Sequence, residues 1–161
     1  KDTSMKKIKQ IEGQATVSKK VEVGIICSRF NHFIVDKLEA GCLDALNRHS
    51  EGRIEVTIFR TPGAFELPLV ASKAAKTARF SAIVALGAVI RGDTAHFELV
   101  ANSCAQGLSN AALETGVPVI FGVLTVDTIE QAIERAGTKA GNKGYEAGVT
   151  AIEMISLLEQ V

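Results

Sequence analysis

The residues best equipped for chemistry fall in a few short segments. Ala88–Phe97 (AVIRGDTAHF) is the densest of them. Gly92 permits unusual backbone angles, and Asp93-Thr94 has the form of a helix N-cap. The N–H groups of Gly92, Asp93 and Thr94 are therefore candidates to meet an anion at a helix start. The carboxylate of Asp93 opposes this unless it turns away or pairs with a cation. His96 follows two residues later, and an imidazole of ordinary pKa ~6.5 can move protons near neutrality; a structural hydrogen-bonding role fits it equally. Phe30, between Arg29 and Asn31, has two readings: a stacking platform for a flat ligand, or a ring tucked under its own loop. Glu66 is either a charge favourable at a helix start or an acceptor for ligand hydroxyls. Arg135, Lys139 and Lys143 recur at four-residue intervals, as a phosphate-binding cluster or as a solvated basic face in which Arg135 pairs with Glu134.

These residues need elements to hold them. Val21–Cys27 (VEVGIIC), Ile54–Phe59 (IEVTIF), Ala82–Gly87 (AIVALG) and Val117–Leu124 (VPVIFGVL) are short apolar runs that predict four strands. A helical pattern follows each. Asn31–His49 carries Ile34, Leu38, Cys42 and Leu46 at helical spacing, and Phe65–Ala78 is a helix starting near Glu66, since Pro68 is tolerated in a first turn. A long helix is expected over Ala95–Thr115. A short one to Ala136 opens on a capping box of Thr128 and Gln131, and Tyr145–Leu158 forms the last. Alternating strands and helices imply a doubly wound α/β domain on a parallel sheet, a flavodoxin-like three-layer sandwich. Ligands bind beyond the carboxyl ends of such strands, where Ser28–His32, Arg60–Glu66, Ala88–His96 and Thr125–Thr128 lie. Of eight aromatics, seven Phe and one Tyr, the rings of Phe30, Phe65, Phe97 and Phe121 fall in or beside these loops.

Residues 21–161 thus read as a single domain behind a leader, residues 1–20, which is either an edge strand or a flexible segment. Met5 reads as the native start, with Lys1 to Ser4 an added remnant. Eighteen basic and eighteen acidic side chains cancel, and no basic tract is present, which argues against a nucleic-acid partner. Near-zero net charge suits a chain that packs against copies of itself. No apolar run approaches the ~18 residues of a membrane helix, and no signal segment is visible, so a cytoplasmic protein is expected. Cys27, Cys42 and Cys104 read as small buried hydrophobes. The histidines lack metal spacing, and His49 is expected to be solvated. The glycine-rich Gly137–Gly144 (GTKAGNKG) lacks the ending of a P-loop.

Arg29-Phe30-Asn31, Pro62–Pro68 (PGAFELP), Gly87–Glu98 (GAVIRGDTAHFE) and Phe121–Gly144 (FGVLTVDTIEQAIERAGTKAGNKG) together resemble the lumazine synthases, from Val21 nearly to the end of the chain. The resemblance implies condensation of 5-amino-6-(D-ribitylamino)uracil with 3,4-dihydroxy-2-butanone 4-phosphate, without metal or organic cofactor. It implies that Phe30 stacks on the pyrimidine and that Ala64 and Glu66 hold the ribityl chain, while backbone of Val89 and Ile90 meets the pyrimidine edge. It further implies that Gly92, Asp93, Thr94 and Arg135 bind phosphate, that His96 transfers protons, and that Phe121 and Lys143 close the pocket. Cys27 is expected to be dispensable.

The same resemblance implies a homo-pentamer, with Phe30, Glu66 and His96 from one chain meeting Phe121, Arg135 and Lys143 from the next. The small-residue stretch Ala101–Ala112 would then line the five-fold axis, and the leader would add a strand to a neighbour's sheet. Some members of the family stop at pentamers or decamers and others build sixty-subunit shells; the uninterrupted GTKAGNKG junction resembles the shell formers. A riboflavin synthase is the partner such a shell would enclose. Two competing readings on the same fold are a non-catalytic flavin- or lumazine-binding protein and a packaging shell.

Overall fold

The computed structural model describes Met5 and residues 7–137 and 141–161. Lys139, one member of the expected basic cluster, lies outside the described residues. Four parallel strands, β1 (Val21–Ser28), β2 (Ile54–Thr61), β3 (Ala82–Ile90) and β4 (Val119–Val126), form one sheet in the order β2-β1-β3-β4. The continuous apolar run of β3 is explained by its place: it is central, paired to β1 and β4, and buried on both faces.

Among the described residues five α-helices wrap the sheet. On one face lie α1 (His32–Ser50), α4 (Ile129–Arg135) and α5 (Lys143–Leu158), over a core of Ile25, Leu38, Cys42, Val84, Leu124 and Ile152. On the other lie α2 (Leu67–Lys76) and α3 (His96–Thr115), over Ile26, Leu67, Ile83, Cys104 and Leu108. The doubly wound α/β expectation is met. Boundaries moved for local reasons. Pro118 lacks an N–H and only accepts a bond from Ile83, so β4 begins after it. A single 3₁₀ turn, Ala64–Glu66, precedes α2, which puts Pro68 within the first turn. Thr128 and Gln131 form the expected capping box.

Three expectations are corrected. Asp93-Thr94 is not the cap of α3: the N-cap is Ala95, already in a helical conformation, and no side-chain oxygen caps it there. Thr94 instead accepts a 3.3 Å bond from the His96 N–H. His49 is half-buried rather than solvated, its Nε2 3.3 Å from the Tyr145 hydroxyl, because α1 and α5 pack side by side. Asn142, not the tyrosine, opens α5: its side chain accepts from the Tyr145 N–H. Along the leader, Val17 is buried, and Gln14 N–H donates to the Ser156 hydroxyl at the end of α5. Residues 7–20 make no strand pairing within the chain.

Candidate active site

The strand order reverses between β1 and β3, and the crevice at their carboxyl ends is the expected ligand position in an open parallel sheet. A cavity of about 790 Å³ lies there. Its floor is the end of β3, with Ala88 and Val89 buried and Ile90 partly so. Its walls are Phe30 and Asn31 after β1, Pro62–Glu66 after β2, and Gly92, Thr94, His96, Phe97, Leu99 and Val100 from the third loop and α3.

Local chemistry fixes the Phe30 wall. Asn31 takes a left-handed conformation (φ 60°), which asparagine tolerates better than most residues. Its Nδ2 donates to the Ala88 carbonyl at 2.9 Å, bridging the loops after β1 and β3. The Phe30 N–H donates to the Pro62 carbonyl at 3.0 Å, which ties the same residue to the loop after β2. The ring itself is 73% exposed, so it is not tucked under its loop. Asn31 had no role assigned from sequence. An asparagine just after a strand, where a turn must reverse the chain, is the signal that points to it.

The Pro62–Glu66 wall is similarly constrained. Thr61 donates its hydroxyl to the Gly63 carbonyl at 3.1 Å, and the Glu66 N–H closes the 3₁₀ turn on that same carbonyl at 3.2 Å. A Cβ built on Gly63 would stand 3.3 Å from Glu66 Oε1, so the glycine leaves room for the carboxylate to fold back over the turn. Ala64 is buried beneath, while Glu66 is partly exposed to the cavity. His96 opens α3 at the rim, exposed, and its ring makes no hydrogen bond among the described residues.

Eight of the twelve residues singled out from sequence line this one cavity: Phe30, Ala64, Glu66, Val89, Ile90, Gly92, Thr94 and His96. Asp93 is exposed and not part of the wall. Phe121, Arg135 and Lys143 lie elsewhere, in a recess of about 390 Å³ beside the edge of β4 that has no strand partner, lined also by Val123–Thr125 and Glu146. The two spaces share no lining residue among those the structure describes. Among the described residues neither Arg135 nor Lys143 forms an ion pair, so the alternative in which Arg135 pairs with Glu134 is not seen.

Arg91 ties the third loop down. It bonds Asp127 at 2.8 Å and Glu98 at 3.5 Å, and its guanidinium lies 4.5 Å from the centre of the Phe97 ring. Beneath the loops the three thiols are free and buried. Burial above all pushes the Cys27 thiol far up, aided by its bond to Glu39, and burial raises Cys42 to about 12 and Cys104 to about 11. Among the described residues no group of three His, Cys, Asp or Glu is arranged to hold a metal, and no helix is long and apolar enough to cross a membrane.

The pattern of the family described as 6,7-dimethyl-8-ribityllumazine synthase matches residues 20–159. The chain is also 56% identical over 150 residues to the 6,7-dimethyl-8-ribityllumazine synthase of Chlorobium luteolum (strain DSM 273 / BCRC 81028 / 2530), an alignment that covers 93% of this chain and 96% of the relative.

Proposed function

The chain belongs to the 6,7-dimethyl-8-ribityllumazine synthase family, and from that premise we propose that its active site is complete only where two copies of the chain meet. The enzyme condenses 5-amino-6-(D-ribitylamino)uracil with 3,4-dihydroxy-2-butanone 4-phosphate to 6,7-dimethyl-8-ribityllumazine, phosphate and water, the penultimate step of riboflavin biosynthesis. One observation carries the two-chain reading. The aromatic cavity and the cationic recess share no lining residue, yet the reaction needs both a platform for a flat pyrimidine and a partner for a phosphate.

In this reading Phe30 stacks on the pyrimidine, backbone of Val89 and Ile90 meets its edge, and Ala64 and Glu66 hold the ribityl hydroxyls. Arg135 of the adjoining copy presents its planar fork to the phosphate, a geometry that matches two oxygens at once. Gly92, Asp93 and Thr94 approach it from the cavity side, and Phe121 and Lys143 close the space. The substrate amine attacks the ketone and water leaves to give an imine; phosphate departs by elimination, and attack of the ribityl-bearing amine on the remaining carbonyl closes the ring with loss of a second water. Each step moves a proton, and His96 at the rim is the group placed to move it. The guanidinium favours the charge on the departing phosphate. Holding two substrates together removes much of the entropic barrier of a bimolecular condensation. These steps are redox-neutral and call for no cofactor.

Exposed apolar side chains support a covered face. Phe65 and Leu69 in and before α2, and Leu99 and Leu113 on α3, are all more than half exposed in the single chain. Apolar exposure of this kind marks surfaces that associate. We read the assembly as a pentamer with α3 near its axis. The leader, whose residues 7–20 have no strand partner in their own chain, adds to a neighbour's sheet. The short junction between α4 and α5 suits further closure into a shell, with a riboflavin synthase as the enclosed partner.

Mixing two defective variants tests the shared site. His96→Ala and Arg135→Ala are each expected to be nearly inactive at substrate levels that saturate the native enzyme only modestly. Random co-assembly leaves about one site in four with both native halves, so a mixed, re-associated preparation should recover about a quarter of native turnover. No recovery from a preparation proven to be mixed would place both halves in one chain and remove the proposal.

A further inference from the structure

The two cations of the recess beside β4 are separated in sequence by a junction that one side chain holds shut. Asn142 donates from Nδ2 to the Ala136 carbonyl at 3.1 Å and to the Lys37 carbonyl at 3.0 Å, and its Oδ1 accepts from the Tyr145 N–H at 2.9 Å. An amide has two donor hydrogens and an acceptor oxygen, and here each serves a different element. The end of α4, the second turn of α1 and the first turn of α5 are therefore pinned to one another. Arg135 is the residue before Ala136, and Lys143 is the residue after Asn142.

The surrounding backbone is shaped for this amide. A Cβ on Gly41 would overlap the Asn142 side chain, and a Cβ on Gly144 would overlap the Leu38 carbonyl. Ala136 and Asn142 form a β-bridge, and the Gly137 N–H donates to the Gly141 carbonyl at 3.0 Å. Gly137 and Gly141 both take positive φ, 126° and 85°, which closes the junction as other residues could not without strain. A helix cap alone would need only the bond to Tyr145. The two donated bonds fix where α4 ends relative to where α5 begins.

We propose that Asn142 is a positioning residue that sets the separation and direction of Arg135 and Lys143, and through them the affinity for the phosphate-bearing substrate. The proposal rests on the reading that Arg135 meets that phosphate and Lys143 closes the space around it. Aspartate at this position keeps the cap, since its oxygen can still accept from Tyr145. It loses both donated bonds and turns oxygen lone pairs toward the two carbonyls that the amide satisfied. Serine also caps but is too short to span to both carbonyls.

Steady-state kinetics of Asn142→Asp and Asn142→Ser, with Arg135→Ala and the double variant Asn142→Asp/Arg135→Ala, test the idea. The KM for the butanone phosphate, and the inhibition constant of inorganic phosphate, should both rise about tenfold in each Asn142 variant, with kcat and the KM for the pyrimidine within about twofold of native. The double variant should lose clearly less than the two single changes combined, because part of the effect of Asn142 acts through that side chain. Equal rises in both KM values, unchanged KM values beside a lowered melting temperature, or additive losses in the double variant would overturn the positioning role. If Arg135→Ala itself leaves the butanone phosphate KM unchanged, the phosphate assignment falls and the inference falls with it. A raised KM in Arg135→Ala with native values in both Asn142 variants removes the inference alone.

Discussion

The cavity over β1 and β3 and the recess beside β4 differ in what they can bind. The first is built where the strand order reverses, and it joins aromatic and aliphatic walls with one carboxylate and one imidazole. The second lies along the outer edge of β4 and carries Arg135 and Lys143, with Glu146 the sole acidic lining residue among those described. A flat, polyhydroxylated ligand suits the first; a phosphate suits the second. On the proposed reading the fold divides one reaction's requirements between two surfaces of the same chain. A closed ring would bring each surface against the other kind on a neighbour, which a two-fold dimer of like faces would not.

The largest expected effect sharpens the contrast on the proton-transfer side. His96→Ala should lower kcat about a hundredfold, the modest end for general acid–base groups, while both KM values hold within about threefold. Followed by lumazine fluorescence, a matching rise in the butanone phosphate KM would show that His96 also binds the anion, and the division between the two spaces would blur. Next in size is Arg135→Ala. Loss of a charged, bidentate contact should raise the butanone phosphate KM about thirtyfold and leave the pyrimidine KM unchanged. Arg135→Lys should recover only part of that loss, since an ammonium keeps the charge without the fork.

Phe30→Ala reverses the pattern at smaller scale. Stacking of a heterocycle on an aromatic side chain contributes about 1–3 kcal/mol, so the pyrimidine KM should rise about tenfold, with the butanone phosphate KM near native. Phe30→Tyr should restore it. The ring makes a 73% exposed surface in the single chain, so thermal stability should barely change in either variant. Equal shifts in the two KM values would dissolve the contrast between cavity and recess.

Much of this was legible in the sequence because local pattern and global fold agree. The apolar runs of β1 and β3 can only be buried strands, and the loops after them carry Phe30 and His96 at the carboxyl ends where a parallel sheet binds ligands. Thr128 and Gln131 are neighbours in sequence, so their capping box needed no tertiary knowledge. What sequence hid depends on distant partners. Asn31 gains its role from a carbonyl 57 residues away, and Asn142 from one 105 residues away. The Asp93-Thr94 pair has the composition of a cap, but the chain enters α3 already helical through Ala95, a choice of backbone that composition does not record. His49 gains the Tyr145 hydroxyl because α1 and α5 lie together, and the burial that follows could not be read from its polar sequence neighbours.

The smallest effect concerns the layers beneath both spaces. Cys27 and Cys42 lie in the core under α1 and α5, and Cys104 in the core under α2 and α3. Burial raises all three thiols, Cys42 to about 12 and Cys104 to about 11. Below pH ~8.5 folded and unfolded thiols are both protonated, so they contribute nothing to the pH dependence of stability. Above it the unfolded chain gives up thiol protons that the folded chain retains, and stability falls by about 1.4 kcal/mol per pH unit for each thiol until its folded pKa is reached. Urea midpoints from pH 8 to 10.5 should therefore decline less steeply in Cys104→Ala than in the native chain, whatever the cavity costs at neutral pH. At pH 7.5 the same variant should retain native KM values on both sides, because a thiol beneath the walls touches neither substrate. An identical alkaline slope would mean that Cys104 titrates alike in the folded and unfolded chain. A selective rise in one KM would mean that the cavity and the recess are tuned through separate core layers rather than carried on one rigid sheet.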